Sequence, residues 1–127
     1  MKHRFKKHYT REEAQALLPQ IRKWLKGLGQ LRHVLERHEK RLSALMKQGC
    51  DAGGPTVNDQ VRALADAQVI LAEFHRRQIF IKDLARGLVD FPAIIGGKEV
   101  FLCWEQDEEK VEFWHDLDTG FGGRERL

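Results

Sequence analysis

The chain has 127 residues, 42% of them apolar and 32% charged, with a formal net charge of +3. That length sets an expectation of a single domain with one modest core, and that balance excludes an intrinsically disordered chain. No run approaches the roughly 18 consecutive apolar residues of a membrane span, and the two cysteines, Cys50 and Cys103, read as free thiols of a cytoplasmic protein.

The charge is unevenly placed. Residues 1–8 carry four Lys/Arg and no acid, with no apolar run behind them, so they read as a disordered basic tail and not as a secretory signal. Residues 9–48 hold nine basic against four acidic side chains, and residues 81–127 hold six against eleven. A basic front and an acidic back can steer an anionic partner such as a nucleic acid. The same split also lets the two ends attract each other within one fold or one oligomer.

The first helix announces its start with Thr10-Arg11-Glu12-Glu13, a capping box. Pro19 predicts a kink, or a short first turn ending near Leu18. Leu17, Ile21, Trp24, Leu28, Leu31, Leu35, His38, Leu42 and Leu45 follow at alternating spacings of four and three. That is a heptad seam with His38 as its one polar member. A continuous helix to Gln48 would be roughly 57 Å long. Gly27 and Gly29 weaken it or let a partner approach closely. Residues 49–56 are a breaker cluster and predict a loop. A second helix follows, capped by Thr56 or Asn58 and ending near Gln78. Val61, Leu64, Gln68, Leu71 and His75 form one line of it, flanked by Ala65, Val69, Ile70 and Phe74. The short connection makes the two helices antiparallel neighbours.

Beyond residue 78 the pattern turns to β. Ile79-Phe80-Ile81 and Leu88–Phe91 read as short strands and Gly96-Gly97 as a turn. Glu99–Glu105 with Lys110–His115 reads as a hairpin pairing Glu105 with Lys110. That register puts Val100, Leu102, Trp104, Val111 and Phe113 on one face and Phe101, Cys103 and Trp114 on the other. Residues 118–124 read as loop. The fold class is therefore α+β: a helical hairpin over 9–78 capped by a small antiparallel sheet over 79–127.

Several blocks together resemble a prokaryotic domain-of-unknown-function family, number twenty-two-zero-three. They are Tyr9-Thr10 with Glu12-Glu13-Ala14 and Leu17-Leu18-Pro19; Lys82-Asp83; Gly87-Leu88-Val89-Asp90-Phe91-Pro92; Leu102-Cys103-Trp104; Trp114-His115; and Gly120-Phe121 with Arg124. The resemblance covers nearly the whole chain. It departs at Asp107-Glu108, where the family tends to show Gly-Glu, which implies a looser turn. It implies a fold and a set of positions, and no activity or cofactor.

The chain carries no phosphate-binding glycine loop, no paired-cysteine zinc motif and no helical zincin motif. Its single serine, Ser43, lies within the first helix pattern, which excludes serine nucleophile chemistry. The densest polar set is Lys82, Asp83, Asp90, Cys103, His115, Asp116, Asp118 and Arg124. Asp90, His115 and Asp116 offer oxygen and imidazole ligands for a divalent metal. Arg124 and Lys82, with Asp90 and His115, suggest an anion or small-ligand site. Cys103 and His115 would suit thiolate chemistry, but the expected register sets them on opposite faces. Three readings remain open: a non-enzymatic interaction or scaffolding protein forming a homodimer through its helices, a small metal- or anion-binding protein or enzyme, and a nucleic-acid binder using the basic first helix.

Overall fold

The computed structural model describes residues 3–47 and 55–127, the side chains of residues 38, 39, 41–47 and 55–57 excepted. The fold is α+β: helices α1 (Arg11–Lys47) and α2 (Pro55–Arg76) are followed by strands β1 (Phe80–Asp83), β2 (Leu88–Ile95), β3 (Lys98–Glu105), β4 (Phe113–Asp116) and β5 (Glu125–Arg126). The strands form one antiparallel sheet in chain order. The chain divides into two compact units, Met1–Lys23 with Glu73–Leu127, and Trp24–Ala72, so the division falls inside α1.

In the first unit, the capping box forms as the sequence predicts. The Thr10 N–H donates to Glu13 Oε1 at 3.0 Å, and the Glu13 N–H donates to Thr10 Oγ1 at 3.1 Å. The helix then runs through Pro19 without ending. Ala14, Leu18, Ile21, Leu25 and Leu28 are buried along it: Ile21 and Leu28 belong to the expected seam, whereas Leu18 and Leu25 take the places expected of Leu17 and Trp24, which are half-buried. At the far end of α2, Gln78 takes a positive φ of 55°. The Ile79 N–H donates to the Phe74 carbonyl and the Gln78 N–H to the His75 carbonyl, so the helix stops in a Schellman turn with Gln78 in the place glycine usually fills.

The sheet is buried on both faces at its centre. Val89, Phe91 and Ala93 of β2 alternate with Asp90 and Pro92, and all five are buried. Through the register Val89↔Trp104, Phe91↔Leu102 and Ala93↔Val100, the first face gathers six apolar side chains. The start of α1 is tied to this side: Tyr9 packs edge-on against Phe91, and the Arg22 guanidinium lies 5.3 Å from the Trp104 ring. Gly96 and Gly97, with φ of 58° and 78°, make the two-residue turn between β2 and β3 that the sequence predicts.

Three expectations are corrected here. The hairpin register is one residue off: β3 and β4 pair Phe101↔His115, Leu102↔Trp114 and Cys103↔Phe113. The cause lies in the connection. The Glu108 N–H donates to the Glu105 carbonyl at 2.8 Å, and the Glu108 carboxylate accepts the Glu105 N–H at 2.8 Å, so a tight turn takes up polar groups that a longer β4 would have satisfied. Val111 is buried outside any strand, and pairing resumes one step later than alternation implies. The basic tail is not loose over residues 3–8. Glu99 accepts the amides of Arg4 and Phe5, Gln78 accepts those of Lys6 and Lys7, and the Phe5 ring sits 5.2 Å from Phe80 and 5.3 Å from Phe101. The tail beyond residue 118 is not all loop, because a one-turn 3-10 helix (Phe121–Gly123) leads into β5.

In the second unit, α1 approaches α2 at Gly27. A Cβ on Gly27 would meet Ile70 Cδ1 at 3.1 Å, a close approach that glycine permits. Further along α1, Leu31 and Val34 share a shallow pocket with Asp59, Arg62 and Ala63. The inner line of α2 is Gln60, Ala63, Ala67 and Ile70, so the expected line of Val61, Leu64, Gln68 and Leu71 faces outward. Pro55 opens α2, ahead of the expected caps Thr56 and Asn58, where its missing N–H costs nothing. The expected breaker loop lies largely outside the described residues, as do the side chains of His38, Leu42 and Leu45.

Trp104, fully buried and donating its indole N–H to the Glu108 carbonyl, anchors the first face. Trp104→Ala is expected to cost about 3–5 kcal/mol in urea unfolding. Glu105→Ala, which removes only a pair with the exposed Arg86, is expected to cost under about 1 kcal/mol.

Candidate functional site

The second face of the sheet carries the polar residues. Asp90 opposes Cys103 across β2 and β3, and His115 opposes Phe101 across β3 and β4, so strand alternation alone sends Asp90, Cys103 and His115 to the same side. This reverses the expected separation of Cys103 from His115. All three are buried, at 2%, 0% and 2% exposure.

The contacts within the cluster are specific. His115 Nδ1 lies 2.7 Å from the Asp116 carbonyl, which can only accept, so Nδ1 carries a hydrogen. His115 Nε2 lies 3.0 Å from Asp90 Oδ2, a contact that needs a proton on one of the two. The other carboxylate oxygen, Asp90 Oδ1, is buried without an N–H or O–H donor, and the Cys103 thiol is a weak hydrogen-bond partner of the carboxyl. Burial pushes the Asp90 carboxyl above its ordinary range, against the opposing pull of His115, Lys82 and Cys103. Burial likewise pushes the Cys103 thiol up to about 12, helped by the Asp90 charge and opposed by Arg124. A thiol so placed is a poor nucleophile, which speaks against cysteine catalysis here.

A pocket of about 240 Å³ opens onto this cluster. Asp90 and His115 line its polar side, with Lys82 and Phe101 beside them and Leu117, Asp118, Gly120 and Phe121 completing the wall. The Lys82 ammonium lies 5.2 Å from the Phe101 ring and 5.3 Å from Phe80.

The structure brings together Asp90, His115 and Lys82, and leaves out two other expected residues. Arg124 is not in the pocket wall. Its guanidinium forks onto Glu108 at 2.7 and 3.2 Å and stacks 3.8 Å from Phe113 and 4.3 Å from Phe121, so it is committed to holding the tail. The Asp116 side chain, one residue on from His115 along β4, points away and pairs with Lys98 at 2.6 Å. Asp83 stays at the end of β1, where its carboxylate accepts the Arg86 N–H, and Asp118 pairs with Arg4 at the pocket rim. Two residues of consequence were not singled out from sequence. Glu108 organises both the hairpin turn and Arg124. Glu99 ties residues 4, 5 and 8 to the sheet. The signal for Glu108 was the apolar Val111 standing alone among charged neighbours, which marks a connection that dips back into the core.

The fold and cluster together define an α+β protein with a doubly covered antiparallel sheet and a buried carboxylate, imidazole and thiol group beneath a small pocket. The chain belongs to a family described as "Uncharacterized conserved protein (DUF2203)", whose model matches residues 7–127. Comparison with curated proteins and with solved structures finds no match. Among the described residues, no helix is long and apolar enough to cross a membrane.

Burial alone would raise the Glu99 carboxyl. The hydrogen bonds from His8 and from the Arg4 and Phe5 amides outweigh it and bring the group from 4.5 down to about 2. Because the folded value is depressed, this stabilisation is present above about pH 4.5 and is lost as pH falls towards 2. Thermal melts of the native protein should therefore fall across that window. Glu99→Gln should show a lower melting temperature at pH 7 and a shallower decline between pH 4.5 and 2.

Proposed function

We propose that this protein is a non-enzymatic interaction protein that associates with a second copy of itself through the outer face of α2. The observation that carries the reading is exposure: Val61, Leu64 and Leu71 stand 59%, 48% and 47% exposed on one helix face. Scattered apolar residues on a surface need no explanation, but a stripe at heptad spacing does.

The stripe suits a copy of itself. Gln68 sits at its middle and is exposed, with exposed Ala65 and Ala72 on either side. In an antiparallel pairing centred on Gln68, Leu64 of one helix meets Ala72 of the other, and Leu71 meets Ala65. Large side chains then oppose small ones, which lets two helices approach closely. The contact is isologous and closes at two copies. The two Gln68 amides meet at the axis and can satisfy each other, which sets register.

The nucleic-acid reading loses support in the first unit. Arg11 donates to the Val111 carbonyl, and Arg22 donates to the carbonyls of Glu108 and Glu109, so both side chains serve the fold.

Light scattering at micromolar concentration is expected to give twice the 14.8 kDa chain mass. Leu64→Glu and Leu71→Glu should each yield a monomer. Because both positions are exposed in the protomer, neither should change the protomer's own stability by more than about 0.5 kcal/mol. A wild-type protein that scatters as a monomer would overturn this reading.

A further inference from the structure

The second-face cluster has a feature that a simple buried ion pair does not explain. An Asp–His pair with one shared proton satisfies Oδ2 and Nε2, and the Cys103 thiol is the carboxyl's other, weak hydrogen-bond partner, so Asp90 Oδ1 has no N–H or O–H donor. A buried carboxylate oxygen without a strong donor is costly to leave so and would be satisfied by a cation. It sits beside a fully buried thiol and under a pocket open to solvent.

The imidazole is already oriented as a metal ligand would be. Its Nδ1–H is donated to the Asp116 carbonyl, which fixes the ring and turns Nε2 towards Asp90. A backbone carbonyl on the far nitrogen is a common support for a ligating histidine. The Asp90 oxygen, the Cys103 sulfur and the His115 nitrogen all lie within 4.8 Å of one another. Bonds of about 2.0–2.3 Å to a tetrahedral ion would space such ligands about 3.3–3.7 Å apart, a contraction that side-chain rotation can supply.

We propose that Asp90, Cys103 and His115 form a three-ligand site for a divalent transition-metal ion of the zinc type, with a fourth position open to the pocket. Mixed sulfur, nitrogen and oxygen ligands suit such an ion, whereas magnesium or calcium would call for oxygen alone. On binding, the Cys103 S–H bond breaks and the proton shared by Asp90 and His115 is released, both protons leave to solvent, and the thiolate coordinates. Asp90 coordinates as the carboxylate and His115 through the Nε2 of the neutral ring. Two negative ligands and a divalent cation leave no net charge in the core, and Arg124 nearby is already neutralised by Glu108. The pocket beside Lys82 would give a ligand of the open position, water or a small anion, access to the ion.

A rival group, His3, His8 and Glu99, also gathers within ligand distance. It is weaker, because the Glu99 oxygens already accept the amides of Arg4 and Phe5 and the His8 ring.

The test is a cobalt(II) titration of chelator-stripped protein carrying Cys50→Ser. The expected result is one cobalt per chain with a sulfur-to-cobalt charge-transfer band. Zinc(II) should displace the cobalt and raise the melting temperature, and magnesium should do neither. Cys103→Ser should lose the charge-transfer band. The isosteric Asp90→Asn, its fold checked by circular dichroism, should weaken cobalt binding by about tenfold or more. The double variant His3→Ala, His8→Ala should bind as the parent does. A parent protein with no charge-transfer band and no zinc-induced stabilisation overturns the site, whatever the variants do. So does binding that survives Cys103→Ser and Asp90→Asn unchanged, or that disappears with His3 and His8.

Discussion

The central strands β2 and β3 are buried on both faces, and both faces have to be kept from water. Six apolar side chains gather on the first face, where Tyr9 and Arg22 tie in the start of α1. Among the described residues, no α-helix contact is seen on the second face. It is closed by chain ends: Phe5 stacks on Phe80 and Phe101 from one side, and the tail brings Phe121 and Arg124 over Phe113 from the other. Fixing two irregular segments costs conformational entropy that a helix would spread over more contacts. The hydrogen bonds of Glu99, Gln78 and Glu108 offset that cost.

That closure explains why the polar residues are where they are. A sheet with one wet face would leave Asp90 and His115 in water, as ordinary surface residues. With both faces covered, strand alternation forces them into the core beside Cys103, where each polar group needs a partner. The covering segments meet incompletely near Gly120 and Phe121, and the gap is the pocket. A site buried by irregular segments differs from one buried by helices, because the cover can open at low cost.

The helical unit obeys a different rule. Its contact line uses small residues, with Gly27 against Ile70 and Ala63 and Ala67 turned inward. Val61, Leu64 and Leu71 of α2 are left on the outside. The same sequence pattern thus supplies two faces, and the bulkier one is the one left exposed.

Several features were legible in the residues themselves, because they depend on neighbours in sequence. The capping box at Thr10 and Glu13, the α+β class and the Gly96-Gly97 turn are local chemistry, and each forms as read. So was the membership of Asp90 and His115 in one polar group, although not their partner. Tertiary structure decided what periodicity leaves degenerate. A heptad pattern does not say which of two neighbouring lines faces inward, and in α2 it is the line of Ala63, Ala67 and Ile70 that does. Alternation does not fix register across a seven-residue connection, and the Glu108 turn moved β4 by one step, carrying His115 to the side of Cys103. Arg124 looks like a free clamp in the sequence, which does not show that a glutamate sixteen positions away will claim it. Local propensity acts over a few residues, whereas inward facing, register and charge pairing are settled by whatever the folded chain brings alongside.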